Sequence, residues 1–325
     1  MPNQPLPGQE RFVAPLEETP LQAVDSLDVD ETPASQWKEA WKQLRKSPLF
    51  IASAVLLVLL AIVIAVPQAF TNTDPFHCVL GRQFEGPSPG HPFGFDRQGC
   101  DVWSRTLYGA RASVAVGVLA TLLVALVGGL TGAVAGYFGK NADAIISRVS
   151  DIFFAIPILL ASIVVLSIFN NLYPDRGFWG GVGAVVLALA LFGWPQITRI
   201  MRGSVLEVKN LEFVDAARAI GASNWTNLRR HIVPNALPPV IVTSTVSLGI
   251  FIVAEATLSF LGLGLPRSRV VSWGNDIAAA QVVIPSGENL QVMFVPAAAL
   301  ALTVLAFILL GDAVRDALDP KARKR

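Results

Sequence analysis

Charge is scarce in this chain. Asp, Glu, Lys and Arg make up 15% of its 325 residues, where soluble domains carry roughly a quarter. Cysteine occurs twice and histidine three times, with no C-x-x-C spacing, which excludes a cysteine-based zinc framework. No G-x-x-x-x-G-K-[ST] stretch is present to cradle phosphates. The nearest, Gly139–Lys140, lacks the upstream glycine and is followed by Asn141. No short basic leader precedes the first apolar run, which starts near Pro48, so that run is expected to stay as an anchor. The formal net charge of +1 says little about partners, and no nucleic acid is expected among them.

What abounds is apolar side chain, 53% of all residues, and lipid is the solvent that suits it. A bilayer-spanning helix takes about 20 mainly apolar residues. Six runs qualify: Leu49–Phe70, Ser113–Phe138, Ile146–Phe169, Gly180–Ile200, Val240–Leu263 and Val292–Gly311. The expected fold is an all-α integral membrane protein with six transmembrane helices. In the second run Gly128, Gly132 and Gly136 fall four apart on one face, which predicts close approach of another helix. Pro157 and Pro195 are expected to kink or break the third and fourth. With the N-terminus inside, 18 Lys and Arg fall on the inner side and 6 on the outer, with Arg111 at a boundary. Both termini are therefore expected in the cytoplasm.

The chain divides accordingly. Residues 1–35 are an acidic, Pro-rich tail with too few large apolar residues to form a core. Over residues 36–48, Trp37, Trp41 and Leu44 make one apolar stripe among cations, with Ser35 as a cap and Pro48 expected to end the helix. This is the pattern of a helix lying in the inner headgroup layer. A first span follows over 49–70 and an outer segment over 71–108. A core with five spans covers 109–312, and a tail covers 313–325. A polar loop over 201–238 lies between the fourth and fifth spans of the chain.

That loop contains "EFVDAARAIGASNWTNLRRHIVP", Glu212 to Pro234. Phe213, Ala216, Ala217 and Ile220 share a helical face, Gly221 breaks the helix, and Ser223 is placed to cap a second one. Trp225, Leu228 and Ile232 stripe the second helix, which Pro234 is expected to stop. Two readings stand side by side: a knob for a groove on another protein, or a loop packed on its own bundle.

"DAARAIGASNWTNLRRHIVP" resembles the EAA loop of ABC-importer permeases. "HPFGFDRQGCDVWSRTLYGAR", "EATLSFLGLGLP", "SWGND" and "GDAVRDALDP" are similar to the C-type permeases of the dipeptide/oligopeptide branch. They run in the family's order and cover the chain after about residue 36. The chain departs from the pattern in three places: Asp215 stands where Glu is usual, Cys100 where Arg is expected, and the acidic tail before residue 36 has no counterpart. The resemblance implies a type I importer permease fold, with Asp215, Ala216, Ala217 and Gly221 coupling it to ATPases. It also implies a second, similar permease, two cytoplasmic ATPase subunits and an extracytoplasmic binding protein. This chain would be non-catalytic and bind no cofactor, with ATP and Mg²⁺ on the ATPases. Di- or oligopeptides are the implied cargo, and the family also carries nickel, haem, glutathione and sugars. The implied location is the bacterial cytoplasmic membrane.

Three features stand outside the loop. Cys78 and Cys100 both fall in the outer segment, on the oxidising side, where two cysteines allow one disulfide. A metal site or an external enzyme centre built from His77, Cys78, His91 and Cys100 is the competing reading. Glu255 lies inside the fifth span, where a carboxylate faces the bundle interior or a water-filled path. It is a candidate for the translocation pathway, or a partner for nearby polar groups such as Thr257 and Ser259 or for a second permease. Finally, Asp96, Arg97, Asp101 and Arg105 are expected to shape the outer segment.

Overall fold

The computed structural model describes residues 36–318. The acidic tail, Ser35 and residues 319–325 lie outside the described residues. Among the described residues the chain is helical, with three isolated β-bridges and no strand. The order begins α1 (Gln36–Leu44), α2 (Pro48–Ala65) and α3 (Val102–Phe138). It continues with α4 (Lys140–Phe154), α5 (Ile158–Leu172) and α6 (Phe178–Val208). Next come the short α7 (Glu212–Ala219) and α8 (Asn224–Asn227), then the long α9 (Val233–Phe260). The chain closes with α10 (Trp273–Ala279) and α11 (Gln291–Leu318).

Among the described residues, five helical stretches are long and apolar enough to cross a membrane: α2, α3, α6, Asn224–Phe260 and α11. The sixth candidate is the pair α4 and α5, bent by 80° at the break between them. The expected third span is thus not one helix. Pro157 sits at the start of α5, where a missing N–H and a fixed φ suit a helix opening but not a helix interior. Pro195 behaves differently: it is buried inside a continuous α6 and breaks nothing. α6 packs against α3, α4, α5 and α9, and Thr198 returns its hydroxyl to the Trp194 carbonyl at 3.1 Å. Tight packing of this kind lets a membrane helix keep a proline.

Other boundaries also move. The first span stops at Ala65, because Pro67 opens a short 3₁₀ turn over Pro67–Ala69. The outer segment ends at Asp101, whose carboxylate accepts from the Ser104 N–H at 3.0 Å and caps α3. At 37 residues α3 is about 55 Å long, well beyond a hydrocarbon core of about 30 Å. Hydropathy marks only the part of a helix that meets lipid, which is why the apolar run began at Ser113.

α3, α6 and α9 form the centre of the bundle around Val116, Val124, Leu189, Ile197 and Leu258. The glycine stripe is what lets α3 and α6 meet. A Cβ on Gly128 would stand 2.7 Å from the Trp194 carbonyl oxygen, and one on Gly132 2.5 Å from that of Thr198. One on Gly136 would stand 2.9 Å from that of Arg202. A hydrogen in place of a methyl therefore permits backbone-to-backbone contact along three turns. α1 packs Ala40 against Ala317 and Leu318 of α11, leaving Trp37 and Trp41 exposed. Pro48 does not end α1 but opens α2, with Ser47 as its cap.

At the other end of the bundle the outer segment is tied down by its own polar groups. Cys78 and Cys100 are disulfide-bonded and also pair as a β-bridge. Asp96 Oδ1 accepts from the Gln98 and Cys100 N–H groups at 2.8 and 2.9 Å. Arg105 of α3 donates twice to Asp276 Oδ1 of α10, at 2.8 and 2.6 Å, and once to the Pro75 carbonyl at 3.2 Å. Burial pushes the Asp276 carboxyl up from the ordinary carboxylate range, and the guanidinium beside it opposes that push. Trp273 is buried and donates its indole N–H to the Thr106 carbonyl at 2.8 Å.

Candidate functional site

The turn between α6 and α9 folds as a knob. α7 ends in a Schellman arrangement: the Gly221 N–H bonds the Arg218 carbonyl and the Ala222 N–H the Ala217 carbonyl, both at 3.0 Å. The motif needs a residue with positive φ, and Gly221 has φ +91°. Ser223 then caps α8, accepting from the Thr226 N–H at 3.2 Å.

Pro234 does not stop the second helix. A π turn over Leu228–Ile232 joins α8 to α9, so the helix runs from Asn224 through to Phe260. In that turn the Val233 N–H reaches five residues back, to the Leu228 carbonyl. The Asn235 side chain caps the His231 carbonyl at 2.6 Å. The wider turn lets a proline enter one residue later without breaking the helix. α8 and the fifth span are consequently one helix, with α7 packed beside α8.

The apolar stripes divide unexpectedly. Val214 and Ala217 of α7 point inward with Leu228 and Ile232. The expected face of Phe213, Ala216, Ala217 and Ile220 is thus split: only Ala217 is buried, and the rest are exposed. Ile220 is 88% exposed and Trp225 62%, with Leu211 and Phe213 beside them in sequence. Asp215 is exposed and pairs with Arg218 at 3.1 Å. Buried Asn227 stitches the two short helices together through the Val214 carbonyl at 3.4 Å. Lys209 bonds the Gly136 carbonyl at 2.8 Å, and Tyr137 the Asn224 side chain at 3.1 Å, tying the knob to the end of α3. Sequence reading missed Val214 and Asn227. The signal was there in part, since Val214 stands three residues before Ala217, but Phe213 is larger and drew the stripe onto the wrong face.

Glu255 sits at 0% exposure, inside this chain. Ser259 donates to its Oε1 at 2.7 Å, and the Ser113 and Ser272 hydroxyls also face it. The Thr257 hydroxyl turns away to the Val253 carbonyl. In this conformation no passing ligand reaches the carboxyl. The structure does not bring Glu255 and the knob together: they lie at opposite ends of the fifth span. A cavity of about 730 Å³ opens at the disulfide end, lined by Thr71, Asp74, Phe76, Tyr108, Arg111 and Arg269 among others. Among the described residues, no group of three or more His, Cys, Asp or Glu could hold a metal ion, and Cys78 and Cys100 offer no free thiol.

Among the described residues, a helical bundle with up to six spans and a knob joined to one of them defines a multi-pass membrane protein. The chain belongs to the binding-protein-dependent transport system inner membrane components, whose family model matches residues 128–324. The model for the N-terminal TM domain of oligopeptide transport permease C matches residues 35–86. The glutathione transport system permease protein of Pectobacterium atrosepticum is 36% identical, over 90% of this chain and 94% of that one. The dipeptide and oligopeptide transport system permease proteins of Bacillus subtilis are 36% and 34% identical. Those matches cover 89% and 93% of this chain, and 87% and 95% of the relatives. Among solved structures, the MetNI methionine ABC transporter in an inward-facing form has a chain with the same fold. The TM-score is 0.53 at 20% identity, covering 66% of this chain and 96% of that one. The chain is accordingly a transport permease of the peptide importer family, with an all-α membrane fold.

Proposed function

We propose that this chain is one of two translocation subunits of an ATP-driven importer for di- or oligopeptides. The observation that carries this is the knob: an exposed apolar surface of Phe213, Ala216 and Ile220 at α7, with Trp225 at the start of the membrane-spanning helix. Exposed apolar side chains on a fixed double helix suit a groove on a cytoplasmic ATPase. Movement of the ATPases on binding ATP would push α7 against α8 and tilt α9 with it, since α8 runs into α9 without a break. Asp215, Ala216, Ala217 and Gly221 are the coupling residues, Gly221 through its positive φ and Asp215 through its exposed charge. ATP and Mg²⁺ act on the partner subunits, and this chain is non-catalytic. An extracytoplasmic binding protein delivers cargo at the disulfide end, and both termini and the knob face the cytoplasm. The relatives' names support a peptide cargo, with glutathione, itself a tripeptide, within that class.

The test is purification of the tagged chain from its native membrane in gentle detergent. Co-elution of a second permease and P-loop ATPases is the expected result. Ile220→Asp should shed the ATPases and keep the second permease. Recovery of the chain alone would overturn the importer reading.

A further inference from the structure

The two carboxylates of α4 face α6. Asp143, Ser147 and Asp151 recur every four residues on one face, and that face meets α6. The opposite stripe, Ile145, Val149 and Ile152, is exposed. The two ion pairs along the seam differ in kind. Arg202 grips Asp143 through two hydrogen bonds, at 2.5 and 2.7 Å, and Ser147 supports the same carboxylate at 3.1 Å. Arg199 holds Asp151 through one bond at 2.7 Å, with both side chains about half exposed. A bidentate, supported pair is a fastening, whereas a single exposed contact contributes little and exchanges readily.

Between the two pairs lies a cavity of about 330 Å³, lined by Ser147, Ser150, Asp151, Thr198, Arg199 and Arg202. Ser150 is 1% exposed, and its hydroxyl has no hydrogen-bond partner. Arg199 also lies over the Phe154 ring at 3.9 Å, so its guanidinium stays placed without Asp151. Next along the same helices, at the α4–α5 break, a second cavity of about 210 Å³ is walled by Phe154, Pro157, Phe192 and Gln196 among others.

We propose that this seam is a binding site for a small zwitterion, a molecule with a free carboxylate and a free ammonium. The inference rests on the importer reading and names what the permease itself recognises: both charged ends of a short peptide. The carboxylate takes Arg199, the ammonium takes Asp151, and Ser150 meets the main chain between them. The apolar cavity receives a side chain. The volume, at the small end for ligand sites, suits two or three residues. A lipid with an ammonium headgroup carries similar charges. It fits worse, because acyl chains on the exposed stripe of α4 leave the headgroup on the wrong face of the helix.

The experiment uses a single-cysteine reporter in the full transporter, in inverted vesicles from the native membrane. The only native cysteines are Cys78 and Cys100, disulfide-bonded to each other. Ser147→Cys, with Thr198→Cys as a second reporter from the same cavity wall, is reacted with a charged thiol reagent. Millimolar dialanine should slow labelling at least fivefold at one of them. Dialanine acetylated and amidated at its two ends should not, and Arg199→Gln should abolish the protection. No protection at either reporter overturns the inference, as does equal protection by the blocked peptide. Protection that follows the vesicles' phosphatidylethanolamine content instead of dialanine also overturns it, in favour of lipid. Dialanine uptake by wild-type cells, measured in parallel, separates the two failures. Uptake without protection sinks this site alone, whereas no uptake sinks the importer reading with it.

Discussion

Gly132→Ala, compared with Gly129→Ala, tests how the bundle is held together. Both glycines lie in the middle of α3, so both substitutions gain the same helix propensity, about 1 kcal/mol. Their surroundings differ. A methyl on Gly129 meets nothing within 4 Å. A methyl on Gly132 lands 2.5 Å from the Thr198 carbonyl oxygen, 2.8 Å from Met201 Cβ and 3.0 Å from the Arg202 nitrogen. Two of those three atoms are backbone of α6, so no side chain can rotate away, and the helices must separate. Overpacking of this sort costs about 1–3 kcal/mol. Subtracting one variant from the other cancels the propensity, leaving a predicted gap of about 1–3 kcal/mol, with Gly132→Ala the less stable. Since about 1.4 kcal/mol is tenfold in an equilibrium constant, the gap is roughly 5- to 150-fold in the unfolding equilibrium. Reversible unfolding of the purified chain in mixed micelles reads it directly. Equal stability of the two variants would refute the claim that α3 and α6 touch through their backbones.

Three further outcomes follow from the same geometry. Arg105→Leu strands the buried Asp276 carboxylate and should destabilise the outer cap by about 3–5 kcal/mol. Adding Asp276→Leu should recover much of that loss in a double-mutant cycle on thermal unfolding, and additive losses would deny the pair. Replacing Cys78 with serine opens a loop of sequence separation 22, which should cost about 3 kcal/mol and make residues 71–101 the first site of protease cleavage. Unchanged cleavage kinetics would show that the Asp96 and Asp101 turns suffice. Gly221→Ala forces a side chain into φ +91°, at a cost of about 1–2 kcal/mol. Hydrogen exchange should quicken in α7 and leave α3 and α6 unchanged, and spread of the effect into the spans would contradict a locally folded knob.

Much of this protein follows from the order of its residues alone. Apolar runs of bilayer length state the solvent and the number of crossings, because a membrane helix must satisfy its backbone internally whatever its neighbours do. Glycines four apart announce a close helix contact, and Gly221 with Ser223 marks the elbow of the knob, because caps and positive φ are local requirements. The motifs after residue 36 carry the family. Tertiary structure decided the rest, wherever the outcome depends on what a segment packs against. Pro157 breaks its helix while Pro195 does not, since only the second is enclosed by neighbours. Val214 rather than Phe213 faces inward, because the direction of a short helix is set by the elements it docks on. Glu255 is sealed among hydroxyls from α3 and the turn before α10, a closure made by residues well over a hundred positions apart. The pairing of Asp143 and Asp151 with two arginines of α6 is of the same kind. A side chain's charge is written in the sequence, but its partner is chosen only when the helices meet.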